Sequence, residues 1–419
     1  MLTITRVPTV LSLNQLDSPE KDAKKADKGN FGLKDIVLNE EGLADARLPL
    51  YYFLCRKTSF LSKKVRSFGD LQTVPDIDQD SSSGDESDQP RSLFDHTLLA
   101  EWENKFEEGL FRYDVTACQT KVIPGDYGFV AQLNEGRATK KRATEFRVDK
   151  VLQDFDDSKF NFTKAGANEV LFQFAPNPNE ESGFEEAAPV RGAASMVLIN
   201  VSPIEYGHCL LVPRITDRLP QRVDHSTALL ALQMAAESNN PYFRIGYNSL
   251  GAYATINHLH FQGYYLMAPF PVERAPTAPL TKLMKRRRAD CIISRLQQYP
   301  VRGLVFEIGK NLDAMAGQIG MACEVLQTNN IPFNLFIVDC GKRVFLFPQC
   351  YAEKQAQGLV PEELLDTGVN PAAFEICGHM VLKRSDDYVN LTEEFTWRLL
   401  AEVSLTEERF QEVVKLCFP

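Results

Sequence analysis

The sequence lacks the long apolar runs that are typical of membrane proteins. No uninterrupted apolar stretch in its 419 residues approaches the roughly 18 to 20 residues that a spanning helix needs. The N-terminal stretch also lacks the apolar core and the small-residue cleavage site of a secretory signal. We therefore expect a cytoplasmic protein that has no membrane partner.

The chain also has fewer basic than acidic residues, 46 against 56. The formal net charge is −10 at pH 7, and the sequence pI is about 5.3. This balance excludes a nucleic-acid affinity built on bulk charge, so we expect no nucleic-acid partner. One basic run, KRRR at 285–288, fits either a surface loop or a nuclear import signal. The loop is favoured, and an additional nuclear location stays open.

Closely spaced cysteine pairs are absent. The chain has nine cysteines, and no two of them form a CxxC or similar pair. This pattern predicts reduced, mostly buried thiols and gives no support to a cysteine-based zinc site. The sequence also lacks a Walker loop, a Rossmann glycine pattern and an evident magnesium site. We expect no cofactor and no metal ion.

Histidine is scarce, yet two of the six histidines lie in one short segment. In ATINHLHFQGYYL, residues 254–266, His258 and His260 are separated by one residue, and Gln262 follows at the same spacing. Alternate residues of a strand share a face. A strand here would place these three polar side chains on one face and would bury Leu259 and Phe261 on the other.

Three interpretations of this segment compete. The histidines could be hydrogen-bonded core residues. They could be a metal pair, although the other candidate ligands, His208 and His379, bring no nearby carboxylate in a ligand pattern. They could also include a neutral imidazole that attacks phosphorus. Asn248 and Thr255, which accompany a serine and a glycine just upstream, suit a close approach to phosphate and favour the third interpretation.

The pattern of elements predicts an α+β protein with a duplicated architecture. Residues 1–93 are predicted to be largely disordered, with an acidic, serine-rich linker at 75–90, and Asp95 is the candidate N-cap of the first helix. Residues 94–300 are predicted to form the catalytic half. Residues 301–419 repeat a series of helix and short antiparallel strands but carry no second HxHxQ, which predicts a degenerate half.

Several elements are predicted individually. Helices are predicted at 224–238, at 311–327 and in the two segments TEEFTWRLLAEV and TEERFQEVVKLC. A hairpin is predicted from 194–203 and 208–213. Further strands are predicted in YGFVAQLNE, EFRVDKVLQDF, YFRIGYNSLG, ATINHLHFQGYYL, PFNLFIVD, RVFLFP and FEICGHMVLKR.

The quoted motifs resemble a known superfamily. INVSPIEYGHCLLVP, followed about 40 residues later by NSLGAYATINHLHFQ, resembles the histidine-triad proteins, whose transferase branch carries HxHxQ as in galactose-1-phosphate uridylyltransferase. GLFRYDVTACQTKVIPGDYGFVAQLNEGR, PYFRIGYNSLGAYATINHLHFQGYYL and CGHMVLKR resemble the plant GDP-L-galactose phosphorylases. The likeness covers residues 95–419 and implies a histidine-triad-like antiparallel sheet with helices.

The resemblance also implies an activity. GDP-L-galactose and inorganic phosphate would give L-galactose 1-phosphate and GDP, a step in ascorbate biosynthesis, through a guanylyl intermediate on His260. His258 would orient the segment, and Gln262 would donate to a phosphoryl oxygen. A GDP-D-glucose phosphorylase, a GDP-hexose hydrolase and a non-enzymatic nucleotide-sugar sensor stay as alternatives.

Substrate-binding residues carry over by motif. Asn200 stands eight residues before His208, where the superfamily places an acidic ribose-binding residue, and His208 matches an upstream histidine that supports the nucleophile. Thr255 matches a hydroxyl that contacts phosphate, and Asn248 accompanies it. Incoming phosphate needs cations, for which the candidates are the KKR run at 140–142, Arg147, Lys150 and Lys164.

Overall fold

The structure is a computed structural model. It describes residues 33, 36–54, 91–140, 146–177, 179, 181–280 and 291–419. The helices are α1 Glu40–Leu43, α2 Leu93–Glu107, α3 Glu135–Lys140, α4 His225–Ser238, α5 Pro271–Arg274, α6 Leu312–Thr328, α7 Tyr351–Ala356, α8 Glu362–Asp366, α9 Ala373–Ile376, α10 Ser385–Asn390, α11 Glu393–Val403 and α12 Glu407–Cys417. Single 3-10 turns span Phe162–Lys164, Ala167–Glu169 and Ile215–Asp217.

The strands form two sheets. They are β1 Arg47–Leu54, β2 Gln119–Val122, β3 Val130–Leu133, β4 Val170–Asn177, β5 Gly183–Pro189, β6 Met196–Ile199, β7 Cys209–Val212, β8 Phe243–Asn248, β9 Phe261–Tyr265, β10 Thr277–Pro279, β11 Cys291–Leu296, β12 Leu304–Ile308, β13 Phe333–Val338, β14 Arg343–Pro348 and β15 His379–Leu382. The large sheet has the order β10-β11-β12-β14-β13-β8-β9-β7-β6-β4-β1-β5, and the small one is β15-β3-β2. Only β1 with β4 and β15 with β3 pair in parallel among the described strands.

The centre of the large sheet is a repeated unit. The series β6-β7-α4-β8-β9 recurs as β11-β12-α6-β13-β14, and the two units meet through antiparallel pairing of β8 with β13. Helices α4 and α6 pack against each other over the same junction. In both units a four-residue connection, 239–242 or 329–332, joins the helix to a strand of six residues. The predicted α+β fold with a duplicated unit is confirmed.

The two units differ where β8 and β13 lead into their next strands. In the first unit residues 249–260 form a long connection, and in the second residues 339–342 form a tight turn. The histidine segment lies in the long connection. The second unit has only four residues at the equivalent place and therefore no counterpart of the histidine segment.

Most of the individually predicted elements are confirmed, and local chemistry explains several of them. Asp224 caps α4, because its side chain accepts a hydrogen bond from the Thr227 N–H, as the sequence predicts. Asn311 caps α6 in the same way through the Ala314 N–H. The hairpin of β6 and β7 pairs antiparallel from Met196 with Val212.

Four predictions about the elements are wrong. Ordered structure does not begin near Asp95: β1 lies between β4 and β5, and Ser92 rather than Asp95 caps α2. The described part of EFRVDKVLQDF contains no strand. In FEICGHMVLKR, a short helix precedes the strand.

The fourth correction concerns the histidine segment itself. Only Phe261–Tyr265 is a strand, and residues 254–260 are not. The linker at 75–90 and the basic run at 285–288 lie outside the described residues. No helix in the described part of the chain is long and apolar enough to cross a membrane.

Candidate active site

The backbone of the histidine segment is bound by the side chain of Gln221 and not by a neighbouring strand. The Gln221 amide accepts a hydrogen bond from the His260 N–H at 2.9 Å and donates to the His260 carbonyl at 3.2 Å. Next to it, the Leu259 N–H donates to the Leu219 carbonyl at 2.7 Å. Gln221 is buried and also donates to the Asn248 carbonyl. The backbone of the histidine segment is thereby fixed without belonging to the sheet.

The predicted alternation of side chains holds although the strand does not reach so far. Leu259 and Phe261 are buried in the main hydrophobic core. His258 and His260 both lie against Phe162, with ring centroids 5.5 Å and 5.1 Å from it. The two imidazoles therefore share the side opposite to the core.

His260 is held in one tautomer. Its Nδ1 lies 2.8 Å from the His258 carbonyl, and a carbonyl can only accept, so Nδ1 carries the proton. Burial lowers the pKa of His260 to about 4, and the His258 carbonyl opposes that shift. The ring is neutral near pH 7, and its Nε2 has a lone pair. This is the state in which an imidazole can act as a nucleophile.

His258 holds the wall of the site rather than facing the opening. Its Nδ1 accepts a hydrogen bond from the Phe162 N–H at 3.1 Å, and its side chain is fully buried. Burial, followed by the neighbouring His260, lowers the pKa of His258 to about 3. His258 thus makes two contacts: its ring accepts from the Phe162 N–H, and its carbonyl accepts from the Nδ1–H of His260.

His208 lies beside Gln262. The Ile204 N–H donates to His208 Nδ1 at 2.8 Å, so the neutral ring carries its proton on Nε2. The ring forms a hydrogen bond with the Gln262 side chain. Burial and the charge of Arg137 lower the pKa of His208 well below its usual value. An Nε2–H that donates to the Gln262 carbonyl oxygen leaves the NH₂ group of Gln262 free to donate elsewhere.

Asn200 and Asn248 are also fixed. The Asn200 Oδ1 accepts from the Ser202 N–H at 3.0 Å, which sets the orientation of its amide. The Asn248 Oδ1 accepts from Asn334 Nδ2 at 2.6 Å and from the Ala373 N–H at 2.9 Å. Both donors to Asn248 belong to the second half of the chain, which therefore supports the site of the first.

These residues surround one cavity of about 380 Å³. Five of the predicted site residues line it, namely Asn200, Asn248, Thr255, His260 and Gln262. His258 and His208 lie behind this lining and contact it. Lys164 does not line the cavity, because its Nζ donates to the Asp157 and Lys159 carbonyls.

The other predicted cations are not at the cavity either. Arg147 is exposed and pairs with Asp149, and Lys150 is absent from the lining. The side chains of the run at 140–142 lie outside the described residues. The cavity is instead lined by three cations that the sequence analysis missed, Arg112, Arg137 and Lys383. Two carboxylates, Glu169 and Glu375, accompany them.

The described residues contain no group of three or more His, Cys, Asp and Glu side chains that could hold a metal ion. His258 Nδ1 already accepts a backbone hydrogen bond, and His260 Nδ1 donates one. Only the Nε2 atoms of His258 and His260 could therefore coordinate a metal ion. The arrangement therefore favours chemistry at a single imidazole nitrogen.

Comparison with known proteins places the chain in a family. The model of the GDPGP1-like N-terminal domain matches residues 93–264, and that of the GDPGP1-like C-terminal domain matches residues 271–419. The chain belongs to the GDPGP1-like family.

Two relatives of known activity and one solved structure are similar to the chain. GDP-L-galactose phosphorylase 1 of Arabidopsis thaliana is 53% identical over 100% of this chain and 89% of its own length. Human GDP-D-glucose phosphorylase 1 is 34% identical over 77% of this chain and 83% of its own. The resemblance to the plant phosphorylases is confirmed. A yeast Ap4A phosphorylase structure in complex with Ap4A superposes with a TM-score of 0.49 at 14% identity, covering 75% of this chain and 98% of that one.

Proposed function

We propose that this protein is a phosphorylase that converts GDP-L-galactose and inorganic phosphate into L-galactose 1-phosphate and GDP, and that His260 is the nucleophile. The observation that carries the proposal is the neutral His260 ring, whose Nδ1–H is bound by a carbonyl and whose Nε2 is left for the cavity. The 53% identity to a plant GDP-L-galactose phosphorylase supports the choice of substrate. The unit that contains His260 is the catalytic half.

In the first displacement, the Nε2 lone pair attacks the α-phosphorus of the GDP-hexose. The bond from this phosphorus to the bridging oxygen breaks, and the hexose 1-phosphate leaves with that oxygen. The His260 ring keeps its Nδ1 proton and becomes positively charged, and the His258 carbonyl stabilises that charge. In the second displacement, an oxygen of inorganic phosphate attacks the same phosphorus, the P–N bond breaks, and GDP and the neutral ring are formed.

Gln262 and Asn200 have supporting roles in this proposal. The Gln262 NH₂ group donates to a non-bridging oxygen of the α-phosphate, because His208 occupies its carbonyl oxygen. An amide has no proton to deliver to a leaving group, which disfavours reactions that need a general acid. Asn200 contacts ribose hydroxyls, and Asn248 and Thr255 contact phosphate oxygens from the cavity wall.

The guanine end of the cavity is assigned from its lining. Phe160, Phe162, Leu198 and Ile256 supply apolar walls, and Glu169 supplies a carboxylate. Glu169 precedes β4, whose Val170 pairs with Leu198, so it lies near Asn200. A carboxylate accepts hydrogen bonds from N1–H and the exocyclic NH₂ of guanine, and adenine offers no matching pair of donors.

The test compares the purified protein with His260→Asn and His225→Asn, with and without phosphate. His225 is exposed and bonded to Asp313, so its variant controls for loss of a histidine away from the cavity. We expect GDP release to require phosphate, to fall by roughly 10³-fold or more in His260→Asn and to persist in His225→Asn. Denatured wild-type protein, quenched after mixing with GDP-L-galactose alone, should carry covalent guanylate.

Other results would select other functions. Release that ignores phosphate would indicate a GDP-hexose hydrolase, and faster turnover of GDP-D-glucose would indicate the activity for which the human relative is named. Tight GDP-sugar binding without turnover would indicate a sensor. We also propose a cytoplasmic location and no nucleic-acid partner, which the lack of disulfides among the described cysteines and the net charge of −10 support.

A further inference from the structure

Two cations reach the cavity from distant parts of the chain. β3 and β15 pair in parallel, with Leu133 opposite Leu382, so both strands end at the same edge of the small sheet. Arg137 follows β3 by one helical turn, and Lys383 is the first residue after β15. Both side chains line the cavity that contains His260 and Gln262.

Each cation is held in place by a backbone carbonyl. Arg137 Nη1 donates to the Ser202 carbonyl at 2.5 Å, and Lys383 Nζ donates to the Gly368 carbonyl at 2.6 Å. An ammonium has three donors and a guanidinium five, so each keeps donors for a ligand. In the part of the chain that the structure describes, neither cation forms an ion pair with a carboxylate.

The two positive charges also act on each other and on the site. Burial lowers the pKa of Lys383; Glu375, which also lines the cavity, opposes that shift, and the charge of Arg137 adds to it with a smaller effect. The charge of Arg137 also lowers the pKa of His208, after burial, and the His208 ring contacts Gln262. The Arg137 guanidinium binds the carbonyl of Ser202, two residues after Asn200, whose N–H donates to the His208 carbonyl, so Arg137 lies on the His208 and Gln262 side of the cavity.

The proposed double displacement restricts where such an anion lies. His260 attacks opposite the leaving group, so the hexose 1-phosphate departs on the side away from the imidazole. Phosphate must then attack opposite the P–N bond, and it enters where the hexose 1-phosphate left. One anion site must serve both ligands in turn.

We propose that Arg137 and Lys383 form this shared site, which binds the phosphate group of the leaving hexose 1-phosphate and then inorganic phosphate. This inference rests on the proposed function. It gives the second half of the chain a direct part in the reaction, because Lys383 comes from that half.

The experiment uses Lys383→Met, with Lys121→Met as the matched control. Lys121 is buried, and like the half-buried Lys383 it donates from its Nζ to a carbonyl, that of Val389, but it does not line the cavity. Guanylylation of His260 by GDP-L-galactose and discharge of the adduct by inorganic phosphate are measured separately. The reverse reaction, with GDP and L-galactose 1-phosphate, gives the KM of the sugar phosphate.

We expect Lys383→Met to raise the KM of inorganic phosphate by about 10- to 100-fold, which is the effect of losing one charged hydrogen bond. The KM of L-galactose 1-phosphate should rise by a similar factor, Lys383→Arg should restore both, and Lys121→Met should change neither. Arg137→Gln should behave like Lys383→Met, which keeps the test valid if one variant does not fold.

Two results would overturn the shared site while leaving the phosphorylase intact. One is phosphate-dependent turnover with an unchanged KM of phosphate in both cavity variants. The other is a raised KM for phosphate with an unchanged KM for L-galactose 1-phosphate, which would require separate sites. A wild-type protein that forms no adduct and ignores phosphate would instead refute the proposed function, and the shared site with it.

Discussion

Burial disfavours protonation of the His260 ring. The His258 carbonyl, which accepts from Nδ1–H, favours the charged form, but burial has the larger effect. A histidine in water has a pKa near 6.5 and is partly protonated at neutral pH. In this site the neutral imidazole of His260 predominates near pH 7 because the ring is buried, so no carboxylate is needed to take a proton from it.

The pH dependence of the first half-reaction follows from this. Protonation would remove the Nε2 lone pair, so the rate of guanylylation should be lost as pH falls through the pKa of about 4. We expect a flat rate between about pH 5.5 and pH 8, measured by single-turnover labelling with GDP-L-galactose. A loss of rate with a midpoint near 6.5 would contradict the assignment of His260. His225, which is exposed, provides the control variant.

The sequence predicted the residues of the site that share a local segment or motif. His260, Gln262, Thr255, Asn248 and Asn200 all line the cavity. Arg137 and Lys383 could not be predicted, because parallel pairing of β3 with β15 brings together residues about 250 positions apart. Lys164 lies outside the cavity lining, because its ammonium donates to the Asp157 and Lys159 carbonyls, and its substrate-binding role stays a prediction.

At the scale of elements, the connection 249–260 depends on a side chain from another connection. Gln221 precedes α4 and binds both backbone groups of His260, and the Gln221 carbonyl accepts from the buried Tyr247 hydroxyl at 2.9 Å. A one-residue shift of the segment would exchange the histidines with Leu259 and Phe261. Gln221 is therefore a positioning residue for His260.

Gln221→Met should lower kcat more than it raises KM, because it leaves the substrate contacts in place and releases the nucleophile. Gln327→Met is the control, since Gln327 binds the backbone N–H and carbonyl of Val223 in the same way but does not line the cavity. Both variants should lose roughly 1 to 3 kcal/mol of unfolding free energy, measured by urea denaturation. Equal kcat values in the two variants would show that Gln221 contributes only to stability.

Elements with a strong local pattern were predicted, and elements defined by distant partners were not. The caps and apolar faces of α4 and α6 are visible in the sequence, as are the short apolar strands that follow them. β1 was missed because its partners, β4 and β5, lie more than 100 residues away and its neighbours in the chain are polar. The strand at 254–260 was overpredicted because alternation alone does not reveal whether a backbone partner is present.

At the scale of the molecule, the two halves form one sheet and share one cavity. Strands β8 and β13 join them edge to edge, and helices α4 and α6 cover the junction. Lining residues come from both halves, with His260 from the first and Lys383 from the second. Each half alone would expose an unpaired strand edge and an apolar helix face.

Division of the chain between residues 270 and 271, next to the boundary of the family models, tests this dependence. We expect each fragment expressed alone to aggregate and to show no turnover. Co-expressed fragments should form a 1:1 complex that recovers phosphate-dependent activity, measured after size-exclusion chromatography. A monomeric, active fragment 1–270 would show that the second half is dispensable.

The tight turn at 339–342, which replaces the long connection of the first unit, has a consequence for how the protein can change over time. A dimer of identical chains would have to carry every substitution twice, once in each copy of its site. Here the proposed nucleophile, His260, and the lysine proposed to bind the anion, Lys383, are encoded in separate stretches of one chain. If the proposed roles hold, substitutions around Gly368 and Lys383 would alter the choice of sugar phosphate and leave the guanylyl-transfer chemistry at His260 unchanged.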